Sequence, residues 1–179
     1  MTTWTLSTWT DAARLAAAVD PRAVPAEAQG KPPRDWFVRL RDEGEPVDAV
    51  MFLAHAMPRY ECIVWATRSL VEAGGIDRTD PGFVAALRWI DNPSDKLRRT
   101  AGDHAETADE DAPSTVLCQA VYLSGGSLAP EDLPAVQPPP DACAKLAAAA
   151  VLQAAYAADD PAPAIARSLA LGEEILAGS

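Results

Sequence analysis

Along most of the chain, apolar residues return every three or four positions and are interrupted by proline, glycine and short polar runs. That period belongs to helices that bury one face. In "STWTDAARLAAAV", Thr8 with Asp11 three residues on is a box-like helix start. Trp9, Ala12, Ala13, Ala16 and Val19 then share a face, and Asp20-Pro21 ends the helix. "PAEAQGKPP" reads as a loop with one helical turn. "RDWFVRLRDEG" predicts a short helix burying Trp36, Phe37 and Leu40 and stopping at Gly44. "PVDAVMFLAHAM" carries Pro46 at a first-turn position, with Val50, Leu53 and Met57 on one side. "PRYECIVWATRSLVEAGG" repeats Tyr60, Ile63, Val64, Thr67, Leu70 and Val71 at helical spacing and closes at Gly74-Gly75.

The second half continues the pattern. Asp80-Pro81 opens a helix with Val84, Leu87 and Ile90 expected to face inward, and Asn92-Pro93 ends it. Ser94 is placed to cap "SDKLRRTAGDHAETADED". The last turn of that polar helix would carry Glu106, Asp109, Glu110 and Asp111, so its end should fray against the dipole. Leu117, Ala120 and Val121 mark the next stripe. Asp141 should cap "DACAKLAAAAVLQAAYAADD", which has no charge between Lys145 and Asp159 and reads as a central, buried helix. The last helix points Ile165, Leu169 and Leu176 inward. Gly172 within it costs about 1 kcal/mol against alanine, which implies a close backbone approach.

No alternating segment is long enough for a sheet. The fold expected is all-α, a single domain over residues 1–179 with about nine short helices. Solenoid-like stacked antiparallel pairs are compatible with it. One segment breaks the rhythm. "SGGSLAPEDLPAVQPPPD", residues 124–141, is too long for an ordinary connection, and Pro138, Pro139 and Pro140 must be extended. It reads as a strap pinned by Leu128, Leu133 and Val136, joining residues 1–123 to a C-terminal helical pair.

Composition narrows the function. At 179 residues the chain can bury a real core, and 49% of it is apolar, chiefly alanine and leucine. The net charge of −11 argues against nucleic acid and against an anionic membrane, both of which need basic charge. The acid is concentrated: residues 1–90 carry a net −2 and residues 91–179 a net −9. No secretory signal is legible at the start. The three cysteines are odd in number and far apart, so reduced thiols in a cytoplasmic protein are expected. With two histidines and dispersed cysteines, neither a metal site nor a cofactor is expected.

The stretch with the most chemistry is "HAMPRYE". Pro58 cannot continue a helix. His55 therefore belongs to the end of one helix, and Arg59 and Glu61 to the start of the next. A protonated His55 would suit the first helix's C-terminus and Glu61 the second's N-terminus. Arg59 would need a carboxylate, from Glu45, Asp48 or Glu61. The structural reading is a locked corner. The catalytic reading makes His55 a general base oriented by Glu61, with Arg59 holding an anion, and requires an open pocket beside His55. Elsewhere His104 on the polar helix is expected to be solvated, and Glu173 and Glu174, being adjacent, do not share a face.

"FLAHAMPRYECIVWATR" followed downstream by "YLSGGSLAPEDLPAVQPPP" resembles a family of small, functionally uncharacterised bacterial proteins. The positions that carry the likeness are His55, Pro58, Arg59, Glu61 and Trp65, then Ser124 to Ser127. The resemblance implies an intracellular helical protein associated with secretion-system gene neighbourhoods, and it carries no catalytic assignment. Val64 stands where a second tryptophan is expected. The function expected is a non-enzymatic protein–protein interaction module, an adaptor or accessory protein for a partner with a basic surface. Its contact residues would be Asp103, Glu106, Asp109, Glu110 and Asp111 together with Pro138, Pro139 and Pro140. The alternatives are a small enzyme or ligand-binding protein built on His55, Arg59 and Glu61, and an immunity-type inhibitor.

Overall fold

The computed structural model describes residues 3–130 and 132–178. Among them are nine α-helices, a single 3-10 turn at Ala26–Ala28 and no strand. The helices are α1 (Ala12–Val19), α2 (Pro33–Asp42), α3 (Pro46–Ala56), α4 (Arg59–Ala73), α5 (Pro81–Asp91), α6 (Asp95–Thr107), α7 (Pro113–Tyr122), α8 (Ala142–Tyr156) and α9 (Pro161–Ala177).

Local chemistry sets most of their ends. Asp80, Ser94 and Asp160 accept from the amides of Phe83 (2.9 Å), Leu97 (3.4 Å) and Ala162 (3.1 Å), satisfying donors that the helix itself cannot. Proline opens α2, α3, α5, α7 and α9, where a missing N–H costs nothing. Gly74 closes α4 in the left-handed conformation, φ 82°.

α8 is the centre of the core and packs on α3, α4, α7 and α9. Ala147, Ala148, Ala150 and Ala155 are buried there, and their small side chains let neighbouring backbones come close. Helices α5, α6 and α7 lie together on one flank, and α1, α2 and α3 on the other. α9 lies against α3 and α4. A Cβ at Gly172 would strike Leu53 Cδ2 and come within 2.9 Å of Met57 Cε, which is the close approach expected there.

Several faces are rotated from expectation. α1 starts three residues later than the Thr8 box, because Asp11 is its cap and binds the amides of Arg14 (3.0 Å) and Gly30 (2.9 Å). Its buried side is Ala12, Leu15 and Ala16. On α5 the buried side is Phe83, Ala86 and Trp89, while Leu87 is exposed. The larger rings win the core because they remove more area from water. α4 buries Cys62, Ile63, Trp65, Ala66, Thr67, Ser69 and Leu70. Tyr60 is exposed instead, its hydroxyl donating to the Ile90 carbonyl at 3.1 Å.

α6 stops at Thr107, so Asp109, Glu110 and Asp111 do not oppose its dipole. They precede α7, on the side that favours negative charge, and Asp109 accepts from the Asp111 amide at 3.1 Å. His104 is half-buried rather than solvated, and a Cβ on Gly82 would come within 2.8 Å of its Nε2. Asp141 does not cap α8 with its side chain; it pairs with Lys145. No helix is long and apolar enough to cross a membrane among the described residues.

Candidate functional site

The corner exists. Met57 and Pro58 are both extended, with ψ 146° and 153°, so α3 stops and α4 begins in a new direction. His55 sits in the last turn of α3 and Cys62 in the first turns of α4, and both face the start of α8, where Cys143 lies. The indole of Trp9 donates to the His55 carbonyl at 3.0 Å. That satisfies one of the carbonyls left open at a helix C-terminus and ties the N-terminal segment to the bend. A pocket of about 550 Å³ opens here, bounded by α1, the corner and the approach to α8. His55, Pro58, Arg59, Cys62, Asp141 and Cys143 are among its walls.

The residues behave differently from their expected roles. His55 is 7% exposed, and its Nδ1 lies 2.7 Å from the Met51 carbonyl. A carbonyl only accepts, so Nδ1 carries the proton and Nε2 presents a lone pair. Burial lowers the imidazole pKa, an effect larger than the opposing bond to Met51. The ring is a neutral acceptor, not a cationic helix cap. Nε2 is buried and has no hydrogen-bond partner among the described residues.

Arg59 reaches none of the three carboxylates considered for it. Its Nη1 donates to the Ser124 carbonyl at 3.1 Å, tying the start of α4 to the end of the α7 region. Glu61 is half-buried and is not part of the pocket wall, so it does not orient His55. Trp65 is wholly buried, and its indole donates to the Ser168 carbonyl at 2.8 Å, fastening α4 to α9.

Two features at the corner were not legible in sequence. Cys62 and Cys143, 81 positions apart, come together here, and the Cys143 side chain, with burial, raises the Cys62 thiol well above its ordinary pKa. Cys118 is separate: its Sγ lies 3.1 Å from the Gly82 carbonyl, and burial pushes its pKa to about 12. The other feature is Asp141, whose carboxylate enters the pocket wall in Glu61's place. Its pKa is lowered chiefly by the hydrogen bond from Lys145. Among the described residues no group of three or more His, Cys, Asp or Glu side chains is placed to hold a metal.

The strap is a closed loop fixed by polar contacts. The Leu128 amide donates to the Val136 carbonyl at 2.8 Å, and Ser127 Oγ accepts from the amides of Ala129 and Val136, both at 3.1 Å. Arg98 is buried and grips the base, donating to the carbonyls of Tyr122 (2.6 Å) and Ser127 (2.8 Å). Arg99 donates to Ser127 and Ala129, each at 2.9 Å. Asp95 accepts from both guanidinium groups at 2.7–2.9 Å, and they hold its pKa below the ordinary carboxylate range. The expected pins fail: Leu133 is 56% and Val136 53% exposed, and Leu128 is half-buried. Of the three prolines only Pro138 is buried, while Pro139 and Pro140 are exposed. Asp95 with arginines three and four residues on is the sequence signal that marks this clamp.

The five acidic candidates, Asp103, Glu106, Asp109, Glu110 and Asp111, are all exposed. None is in an ion pair among the described residues. Asp103 lies on α6 a turn before its end, and the other four flank the α6–α7 turn. Arg98 meets the end of α7 at the other end of this antiparallel pair, which the helical rise separates from Thr107 by about 13 Å. The acidic patch and the loop are therefore two surfaces.

Residues 36–176 match the model of a family of unknown function, DUF6931. The chain belongs to that family. The matched range includes the corner, the arginine clamp, the loop and α8. No curated protein and no solved structure matches the chain.

Proposed function

We propose that this member of the family is a non-enzymatic protein–protein interaction module that recognises its partner with the loop over residues 127–140. The observation that carries this reading is the exposure of Leu133 and Val136, each more than half in solvent, on a backbone locked by Arg98 and Arg99. Large apolar side chains held outward on a rigid base lose little entropy on docking. The unpaired acids at the α6–α7 turn supply long-range attraction to a basic partner surface. An accessory role in a secretion apparatus and an immunity-type inhibitor are finer forms of the same surface logic.

The test is affinity capture with the tagged full chain at low and high salt, comparing wild type with the Leu133→Asp/Val136→Asp double variant. A defined protein recovered by wild type, lost with the double variant and diminished by salt is expected, since exposed charges are screened beyond about 10 Å at 0.1 M. Recovery that is the same for both proteins at both salt levels overturns the proposal.

A second reading, small-ligand binding at the corner, is favoured by the pocket beside His55.

A further inference from the structure

The pocket at the corner has the volume of a small-molecule site, about 550 Å³ against roughly 300–1,000 Å³ for such sites. Much of its wall is apolar: Trp9, Ala17, Met57 and Ala144, with the rings of Pro21 and Pro58 beside them. Two residues of the wall are charged, Arg59 and Asp141, and they do not stand alike. Asp141 is in an ion pair with Lys145. Arg59 pairs with no carboxylate among the described residues; its one hydrogen bond there runs from Nη1 to the Ser124 carbonyl at 3.1 Å. That bond steadies the guanidinium and leaves its Nε and Nη2 edge free. The same edge can hold a carboxylate by two parallel hydrogen bonds. Arg59 is exposed, whereas His55, Met57 and Cys62 are buried. The arginine therefore stands at the mouth of the pocket, with apolar wall behind it.

Building on the small-ligand reading of the corner, we propose that this pocket binds a compact monocarboxylate with a ring-sized apolar body, its carboxylate on the Arg59 guanidinium at the mouth and its body against the apolar wall. Charge decides the class. A cationic ligand finds the wall's carboxylate already answered by Lys145, and an uncharged one leaves Arg59 without a counter-ion. One guanidinium matches one negative charge. A second charge on the ligand would enter beside Asp141 and lose hydration without gaining a partner. Trp9, held by its own bond to the His55 carbonyl, offers a fixed flat face to a ring. An ion pair as exposed as this one contributes little alone. Burial of the apolar body supplies most of the affinity, and Arg59 supplies the choice between ligands of one shape.

The probes are benzoate and benzamide, which share a ring and a planar head and differ in charge. The purified full chain is titrated with each at about pH 7.5, well above the carboxylate range, and the Trp9 indole N–H NMR signal is followed. Saturable benzoate binding, about tenfold tighter than benzamide, is expected. The preference should disappear in Arg59→Gln, which keeps a donor for the Ser124 carbonyl and removes the charge. Phenyl phosphate, with close to two charges at this pH, should bind more weakly than benzoate; equal or tighter binding would overturn the single-charge assignment. Ala144→Phe fills the pocket from the half-exposed face of α8 and leaves Arg59 intact. It should remove binding of benzoate and benzamide alike, which keeps the test decisive if Arg59→Gln fails to fold. Equal affinities for benzoate and benzamide in wild type would overturn the carboxylate assignment while leaving a ligand pocket. If neither moves the Trp9 signal up to its solubility limit, the small-ligand reading itself falls, and this proposal with it.

Discussion

At the α3–α4 corner a proline turns the chain; His55, Ala56, Met57 and Cys62 face inward, while Arg59 and Tyr60 are exposed. Over residues 132–140 prolines turn the chain again, and every side chain except that of Pro138 is exposed. The corner is held by packing: Trp65, Cys62, Ile63 and Leu53 are all within 2% of complete burial, and the unpaired His55 Nε2 is buried with them. The loop has little core of its own. Carbonyl oxygens bound by two arginines hold it, with Asp95 behind them. A polar brace leaves apolar side chains free for a partner, whereas an apolar brace consumes them. That difference is why recognition of a protein is assigned to the loop and binding of a small molecule to the corner.

The largest effect should come from the brace. Arg98→Ala leaves the Tyr122 and Ser127 carbonyls without their charged donor, and a hydrogen bond to a charged group contributes about 1.5–3 kcal/mol. A loss of about 2–4 kcal/mol in urea unfolding is expected, with faster amide exchange across residues 127–136. If exchange there is unchanged, the loop is not held by the arginines and the contrast with the corner disappears.

At the corner the expected effect is slightly smaller. Gly172→Ala pushes a methyl group into Leu53 and Met57, and overpacking of this kind costs about 1–3 kcal/mol. Loop exchange rates should not follow it. A stabilising effect would mean that α9 slides freely over α3.

Acid should separate the two regions by where each weakens. The folded pKa of His55 is lowered by burial, so below about 6.5 the unfolded chain takes up a proton that the folded chain refuses. Stability is then lost as pH falls from that value. The folded pKa of Asp95 is also lowered, so its contribution persists until pH drops below about 3.9 and through the folded value. Urea midpoints measured from pH 7.5 to 3.5 should decline in wild type from about pH 6.5. They should decline less in His55→Gln, with loop exchange accelerating only at the acid end. An identical pH profile for His55→Gln and wild type would remove the neutral buried imidazole from the account.

The smallest effect is expected at the loop's tip. Leu133→Asp changes an exposed side chain and should alter stability by no more than about 0.5 kcal/mol, even as it abolishes partner recovery. A larger loss in urea unfolding would place Leu133 in the core and undo the outward-facing reading.

What could be read from the chain alone was whatever a few neighbouring residues decide. Pro58 cannot stand inside a continuous helix, and Asp80, Ser94 and Asp160 cap through amides two or three residues away. Gly172 announced a close approach because a glycine inside a helix needs a reason. Helix identity and most boundaries are local matters of this kind. Which side of a helix is buried was less secure, since the period allows more than one face. On α5, which packs on α7 and α6, the choice went to Phe83 and Trp89 over Val84 and Leu87 because the rings remove more area from water. The meeting of Trp9, His55, Asp141 and Cys143, and the grip of Arg98 and Arg99 on a loop some thirty residues downstream, were decided only in three dimensions. Such contacts depend on distance in space, which the order of residues does not encode. The burial that makes His55 neutral exists only after α1, α3, α4 and α8 have closed around it.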